Sequence, residues 1–244
     1  MNIPQLTSEA RLASDLVQVW RVHLARTQDD LRALGELLSP DERERAASFH
    51  FEVHRHRFVV ARGCLRQVLS AQLNLKPRDV AFRYARYGKP ELADSPRELP
   101  VKFNLSHSDD EALIAVTLGS RVGADLERIR PLDDLAGLAR ACFSTGECDV
   151  LMRLDAEART QAFFLAWTRK EAFLKALGTG FSLAPTEFDV SLLPGEPAQL
   201  LSVPAGVSSP AVWSLIDLPM ADGVAGAVAV EAPNARVEMH DFGT

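Results

Sequence analysis

Apolar and polar positions along the chain divide it into segments of two periods. Ser39-Pro40-Asp41-Glu42 reads as a helix start, with serine as cap, proline in the first turn and glutamate three residues after the cap. The spacing predicts that this helix runs through residues 43–51 and that a second covers 57–74. In the second, Phe58, Ala61, Leu65, Val68 and Leu69 recur on one face and Arg62 and Arg66 lie on another, until Lys76-Pro77 breaks it. Residues 81–90 alternate apolar and basic, a strand pattern ending at a Gly88-Lys89-Pro90 turn. Residues 112–118 read as a buried strand, and Gly119-Ser120 as a hairpin turn into the strand-like 122–127. Ser144-Thr145-Gly146-Glu147 is a second capping box opening a helix over 148–154, and Gln161 to Leu177 is a third helix stopped by Gly178 and Gly180. Beyond about Asp189 the chain turns Pro/Gly-rich, with short apolar runs at 211–218 and 223–232 that suggest edge or hairpin strands. Each half thus carries helices followed by strands, an α+β pattern.

Composition narrows the picture without changing it. The chain has 244 residues, 47% of them hydrophobic and 25% charged, room for one large domain or two of about 120 residues. No apolar run approaches the ~18–20 residues that a membrane-spanning helix requires. Residues 1–15 show no basic segment followed by an apolar one, so no secretory signal is expected. Cys64, Cys142 and Cys148 are odd in number and lack CxxC spacing, against a disulfide framework or zinc knuckle. A cytoplasmic protein is the expectation.

Charge separates the halves. The net charge of −6 argues against general nucleic-acid binding. Residues 1–120 carry 17 basic and 16 acidic side chains, whereas 121–244 carry 10 and 17. Within the first half, 45–89 holds ten basic residues and only two acids, Glu52 and Asp79. Such a segment suits a small polyanion such as phosphates, or an acidic partner; a solvated helix face is the plainer alternative.

Three groups of residues carry candidate chemistry. Asp125 and Glu127 are two apart in a strand, so both carboxylates share one face while Ala124 and Leu126 share the other. Paired carboxylates on a rigid element suit Mg²⁺, although an exposed strand face has the same pattern. In residues 167–175, Glu171 and Lys175 stand at i and i+4 with Phe164 and Thr168 on the same side. They supply a third carboxylate and an ammonium, or merely a surface ion pair. Asn104-Leu105-Ser106-His107-Ser108 gathers small polar groups beside an imidazole that could contact a phosphate. Without a GxSxG elbow, Ser106 is a poor nucleophile candidate. His50, His54 and His56 are flanked by Arg55 and Arg57, which oppose a zinc site.

Taken in order, the G-K-P turn at 88–90, N-L-S-H-S at 104–108, V-G-A-D-L-E at 122–127 and W-T-R-K-E-A-F-L-K at 167–175 resemble the signature blocks of the Sfp-type 4′-phosphopantetheinyl transferases. The capped segment 39–45 and the helix start at Phe143–Glu147 resemble that family too, and the likeness spans roughly residues 39–190. Ala124 departs from the usual isoleucine or valine. The resemblance implies two similar α+β halves, 1–120 with the basic and nucleotide-facing blocks and 121–244 with the carboxylates, and coenzyme A in the cleft between them. It implies transfer of the 4′-phosphopantetheine arm of coenzyme A to a serine of an apo acyl or peptidyl carrier protein, releasing adenosine 3′,5′-bisphosphate. By position, Asp125, Glu127 and Glu171 would hold Mg²⁺, Glu171 would take the serine proton, and Lys175 would face the pyrophosphate. Gly88, Lys89, Pro90, Asn104, Ser106 and His107 would line the nucleotide end, with Arg45, and less directly Arg62, on the 3′-phosphate. Carrier proteins of fatty-acid, polyketide or nonribosomal-peptide synthesis, acidic around the modified serine, are the expected partners, and both halves in one chain favour a monomer. A non-catalytic coenzyme A or carrier-binding relative and a Mg²⁺-dependent pyrophosphate hydrolase are the alternatives.

Overall fold

The structure is a computed structural model that describes residues 13, 15–93 and 100–242 (the side chain of Phe181 apart). The reading of the first fifteen residues therefore lies almost wholly outside the described residues. No helix among the described residues is long and apolar enough to cross a membrane. The chain packs as two compact units, one running to Gly119 and resuming at Val237, the other Ser120–Arg236.

The first unit opens with strand β1 (Leu16–His23), followed by α1 (Gln28–Gly35), α2 (Pro40–Ala47) and the long α3 (Glu52–Leu73). The hairpin β2 (Phe82–Tyr84) and β3 (Pro90–Leu92) and the pair β4 (Val101–Ser108) and β5 (Glu111–Leu118) come next. Its four-stranded sheet has the order β4-β5-β1-β9, the last strand β9 being Arg236–Asp241. The end of the chain thus returns to the first unit's sheet, although sequence order places it after the second half. Trp20, Leu34, Leu65, Leu69, Phe103 and Ile114 belong to the core under that sheet.

The second unit runs β6 (Val122–Arg128), α4 (Leu135–Cys142), α5 (Thr145–Met152), α6 (Ala156–Leu177), β7 (Ser214–Asp217) and β8 (Val224–Val230). Its sheet has the order β6-β8-β7, and both pairings are antiparallel. Phe163, Phe173, Phe188 and Trp213 lie in its core, with the Phe173 ring 5.0 Å from Phe188 and 4.9 Å from Trp213.

The two units repeat one plan, the β2–β3 hairpin of the first apart: a strand, two short helices of eight residues, a helix of 22 residues, and two further strands of which the last lies between the other two. The repetition reaches single side chains. Glu42 and Glu147 each accept from the backbone N–H of the cap residue three before them, Ser39 at 3.0 Å and Ser144 at 2.8 Å. Each carboxylate also binds the fifteenth residue of the following long helix, Arg66 at 2.6 Å and Lys170 at 2.7 Å. Those cations donate onward to matching one-turn 3-10 segments: Arg66 to the carbonyls of Pro77 and Val80, Lys170 to those of Pro185 and Phe188. All four charged side chains are nearly fully buried, where an ionic group requires such a complete set of partners.

Several expectations need correction. Gly119-Ser120 is not a hairpin turn: β5 pairs with β4 and β1, and β6 with β8. Gly119, at φ +80°, donates to Pro100 O at 2.8 Å and closes the β4–β5 pair before the chain enters the other unit. The N-L-S-H-S block is strand β4 itself, turning through Asp109 (φ +48°) into β5. The first predicted helix stops at Ala47, and the second begins earlier than 57, at Glu52; it ends where expected, at Asn74, whose left-handed φ of 55° allows its N–H to cap Ser70 O. The runs at 211–218 and 223–232 hold the antiparallel pair β7 and β8, of which β7 is an edge strand and β8 the centre of its sheet.

Candidate active site

In β6 the alternation is as expected: Ala124 and Leu126 are fully buried on one face, and Asp125 and Glu127 share the other with Gly123. That second face meets α6. Gly123 allows the approach, since a Cβ built there would stand 2.2 Å from Ala172 O and 2.3 Å from Ala176 N. Lys175, one turn beyond Glu171, places its Nζ 2.6 Å from Asp125 Oδ1. Asp125 is 3% exposed, while Glu171 and Glu127 are half-buried.

These groups feel one another. Burial pushes the Glu171 carboxyl above its ordinary range; Lys175 pulls it back, and Asp125 and Glu127 push it further up. Three carboxylates against one ammonium leave two negative charges, and oxygen donors of this kind suit a hard divalent cation. Among the described residues no three His, Cys, Asp or Glu side chains form a closed metal-binding group. Among these groups Lys175 is seated on Asp125.

The candidates in the first unit are more dispersed. Arg45 is exposed near the end of α2, its guanidinium 5.3 Å from the Phe49 ring centroid. Gly88, at φ +81°, forms the turn between β2 and β3, where Ala85 N–H donates to Lys89 O, and Lys89 and Pro90 are half-buried. Asn104 and Ser106 are buried on one face of β4, whereas His107 is exposed and by alternation belongs to the other face. The block does not, then, gather its polar groups around one imidazole. Arg62 departs furthest from expectation. It is 5% exposed and bound to Glu42 at 2.5 Å, with its guanidinium 4.5 Å from the Phe82 ring centroid. It shares Glu42 with the similarly buried Arg66, so Arg62 is far less accessible to a phosphate than the exposed Arg45.

The basic segment is likewise largely compensated: besides Arg62 and Arg66, Arg55 pairs with Glu52, Arg57 with Asp110, Arg78 with Glu36 and Arg83 with Glu91. Most of these acids lie outside the segment in sequence. Pattern reading missed Gly123, where β6 meets the α6 backbone beside these side chains. An isolated glycine inside a strand pattern is the signal that marks a close backbone approach.

A duplicated α+β scaffold bearing an acidic cluster on the first strand and long helix of its second half is the class that the geometry defines. Two family models match the chain in order: 4′-phosphopantetheinyl transferase, N-terminal, over residues 23–118, and 4′-phosphopantetheinyl transferase superfamily over 121–227. The chain belongs to this superfamily. It is 42% identical over 227 residues to the 4′-phosphopantetheinyl transferase HetI of Nostoc sp. strain PCC 7120, covering 93% of this chain and 91% of that one. It is 29% identical over 178 residues to the 4′-phosphopantetheinyl transferase Sfp of Bacillus subtilis, covering 72% and 77%. A putative 4′-phosphopantetheinyl transferase of Synechocystis sp. strain PCC 6803, slr0495, matches at 38% over 146 residues, covering 60% and 59%.

Proposed function

We propose that the chain transfers the 4′-phosphopantetheine arm of coenzyme A to a serine hydroxyl of an apo acyl or peptidyl carrier protein, releasing adenosine 3′,5′-bisphosphate. The observation that carries this reading is the coupled set Asp125, Glu127, Glu171 and Lys175 on two packed elements of a chain from this superfamily. Asp125, Glu127 and Glu171 have the donor type and the charge to hold Mg²⁺, which would neutralise the pyrophosphate of coenzyme A. Glu171, whose burial and acidic neighbours raise its proton affinity, is suited to accept the serine proton. Lys175 is a point charge on a flexible stem, suited to pass from Asp125 to a phosphate oxygen. Arg45, exposed, is the candidate for the 3′-phosphate, and Gly88, Lys89, Pro90, Asn104, Ser106 and His107 for the nucleotide end. Carriers acidic around the acceptor serine, and a cytoplasmic, monomeric enzyme, belong to the same reading.

The test is mass spectrometry of an apo-carrier incubated with coenzyme A and Mg²⁺. The wild-type chain should add phosphopantetheine, and Asp125→Ala, Glu127→Ala and Glu171→Ala should each reduce transfer at least a hundredfold while remaining folded. Glu171→Gln should keep coenzyme A binding and lose turnover. Wild-type turnover by Glu171→Gln would remove the proton-acceptor role, and hydrolysis of coenzyme A without carrier modification would favour the pyrophosphatase alternative.

A further inference from the structure

Gly123 faces the α6 backbone with no side chain between them. A methyl group there would fall between Ala172 O and Ala176 N, 2.2 and 2.3 Å away, and 2.8 Å from the Lys175 carbonyl carbon. These are backbone atoms of one helical turn, the acceptor and donor of an i to i+4 pair, and cannot rotate aside as a side chain can. The obstructed turn contains Lys175 and begins one residue after Glu171. Gly123 also lies two residues before Asp125 on the same face of β6.

The first unit makes this contact differently. Ala176 is the twenty-first residue of α6, and its counterpart in α3 is Gln72. Gln72 donates through Nε2 to Oε1 of Gln18 on β1, at 2.7 Å with both side chains buried. There two glutamine side chains fill the space between strand and helix; in the second unit that space is absent.

We infer that Gly123 is a positioning residue: by bringing the α6 backbone onto β6 it sets the distance at which Lys175 reaches Asp125 and Glu171 joins the carboxylate cluster. The inference rests on the reading of those residues as the reactive centre. Its test separates the two by using stability as well as turnover. The full chain is compared as wild type, Gly123→Ala, Lys175→Met and the double variant, each by kcat on an apo-carrier and by thermal melting.

Gly123→Ala should lower kcat at least tenfold. Lys175→Met should lower the melting temperature of the wild-type background by several degrees, because it leaves the buried Asp125 without its ammonium. In the Gly123→Ala background it should change melting by under a degree, the pair being already parted. Equal effects of Lys175→Met in the two backgrounds, zero included, would overturn the inference: a glycine needed only for folding adds its cost independently. Should the wild type transfer nothing, the functional reading fails while the melting cycle still decides the role of Gly123. If Gly123→Ala does not fold, Ala176→Ser, a smaller wedge in the same buried turn, takes its place, with the same non-additivity expected and additivity again fatal.

Discussion

At the scale of single residues, the cluster on β6 and α6 is arranged against the folded state's own interest. The Glu171 carboxyl sits above its ordinary range chiefly because it is buried, with Asp125 and Glu127 adding to the effect and Lys175 opposing it. A group whose pKa is higher folded than unfolded stabilises the fold when protonated, and that contribution is lost as pH rises through the folded value. As pH rises the metal-free protein therefore carries a growing cost of ionising Glu171. In a chelator Glu171→Gln should melt at higher temperature than wild type at pH 7, and the gain should shrink as pH falls and Glu171 takes up its proton. Calorimetry across that range checks the sign. Lower stability of the variant at pH 7 would mean that the carboxylate is held by attraction, not merely tolerated.

Among the elements, the repeated clamp between a capping glutamate and a long helix invites a direct comparison. Glu42 answers two guanidiniums, Arg62 and Arg66, whereas Glu147 answers one ammonium, Lys170. Arginine cannot shed its proton, but burial already lowers the proton affinity of Lys170, with Glu147 opposing. Glu42→Gln should accordingly cost about 3–5 kcal/mol, the usual penalty for stranding a buried charge. Glu147→Gln should cost less, because Lys170 can become neutral. Urea unfolding of both variants decides, and an equal or larger loss for Glu147→Gln would contradict the argument. Both capping boxes are legible in the sequence because a helix start is a local pattern of four residues. What each glutamate also holds, 24 or 23 residues further on, is not. The same limit hides β1, α1 and α4: their apolar residues are partnered by distant elements, and short segments carry little periodic signal of their own.

Over the whole molecule, the chain's last strand is the departure from a simple tandem of halves. β9 returns to β1, where His240 stacks on Trp20 at 4.4 Å and Phe242 meets the same ring edge-on. Ending the chain at Arg236 should uncover Trp20, now 1% exposed, shifting tryptophan emission to the red and lowering the melting temperature. Unchanged emission and melting would show β9 to be an ornament of the sheet. The sequence by itself determines the α+β class, the helix starts at Ser39 and Ser144, and the shared face of Asp125 and Glu127, because each depends on spacing within a few residues. The order of four motif blocks was enough to identify the family. Only the tertiary structure decides that Arg62 and Arg66 share Glu42, that His107 parts from Asn104 and Ser106, and that Lys175 rests on Asp125. Each of those outcomes depends on which elements pack together across tens of residues, and on the need of every buried charge for a partner, which no local pattern records.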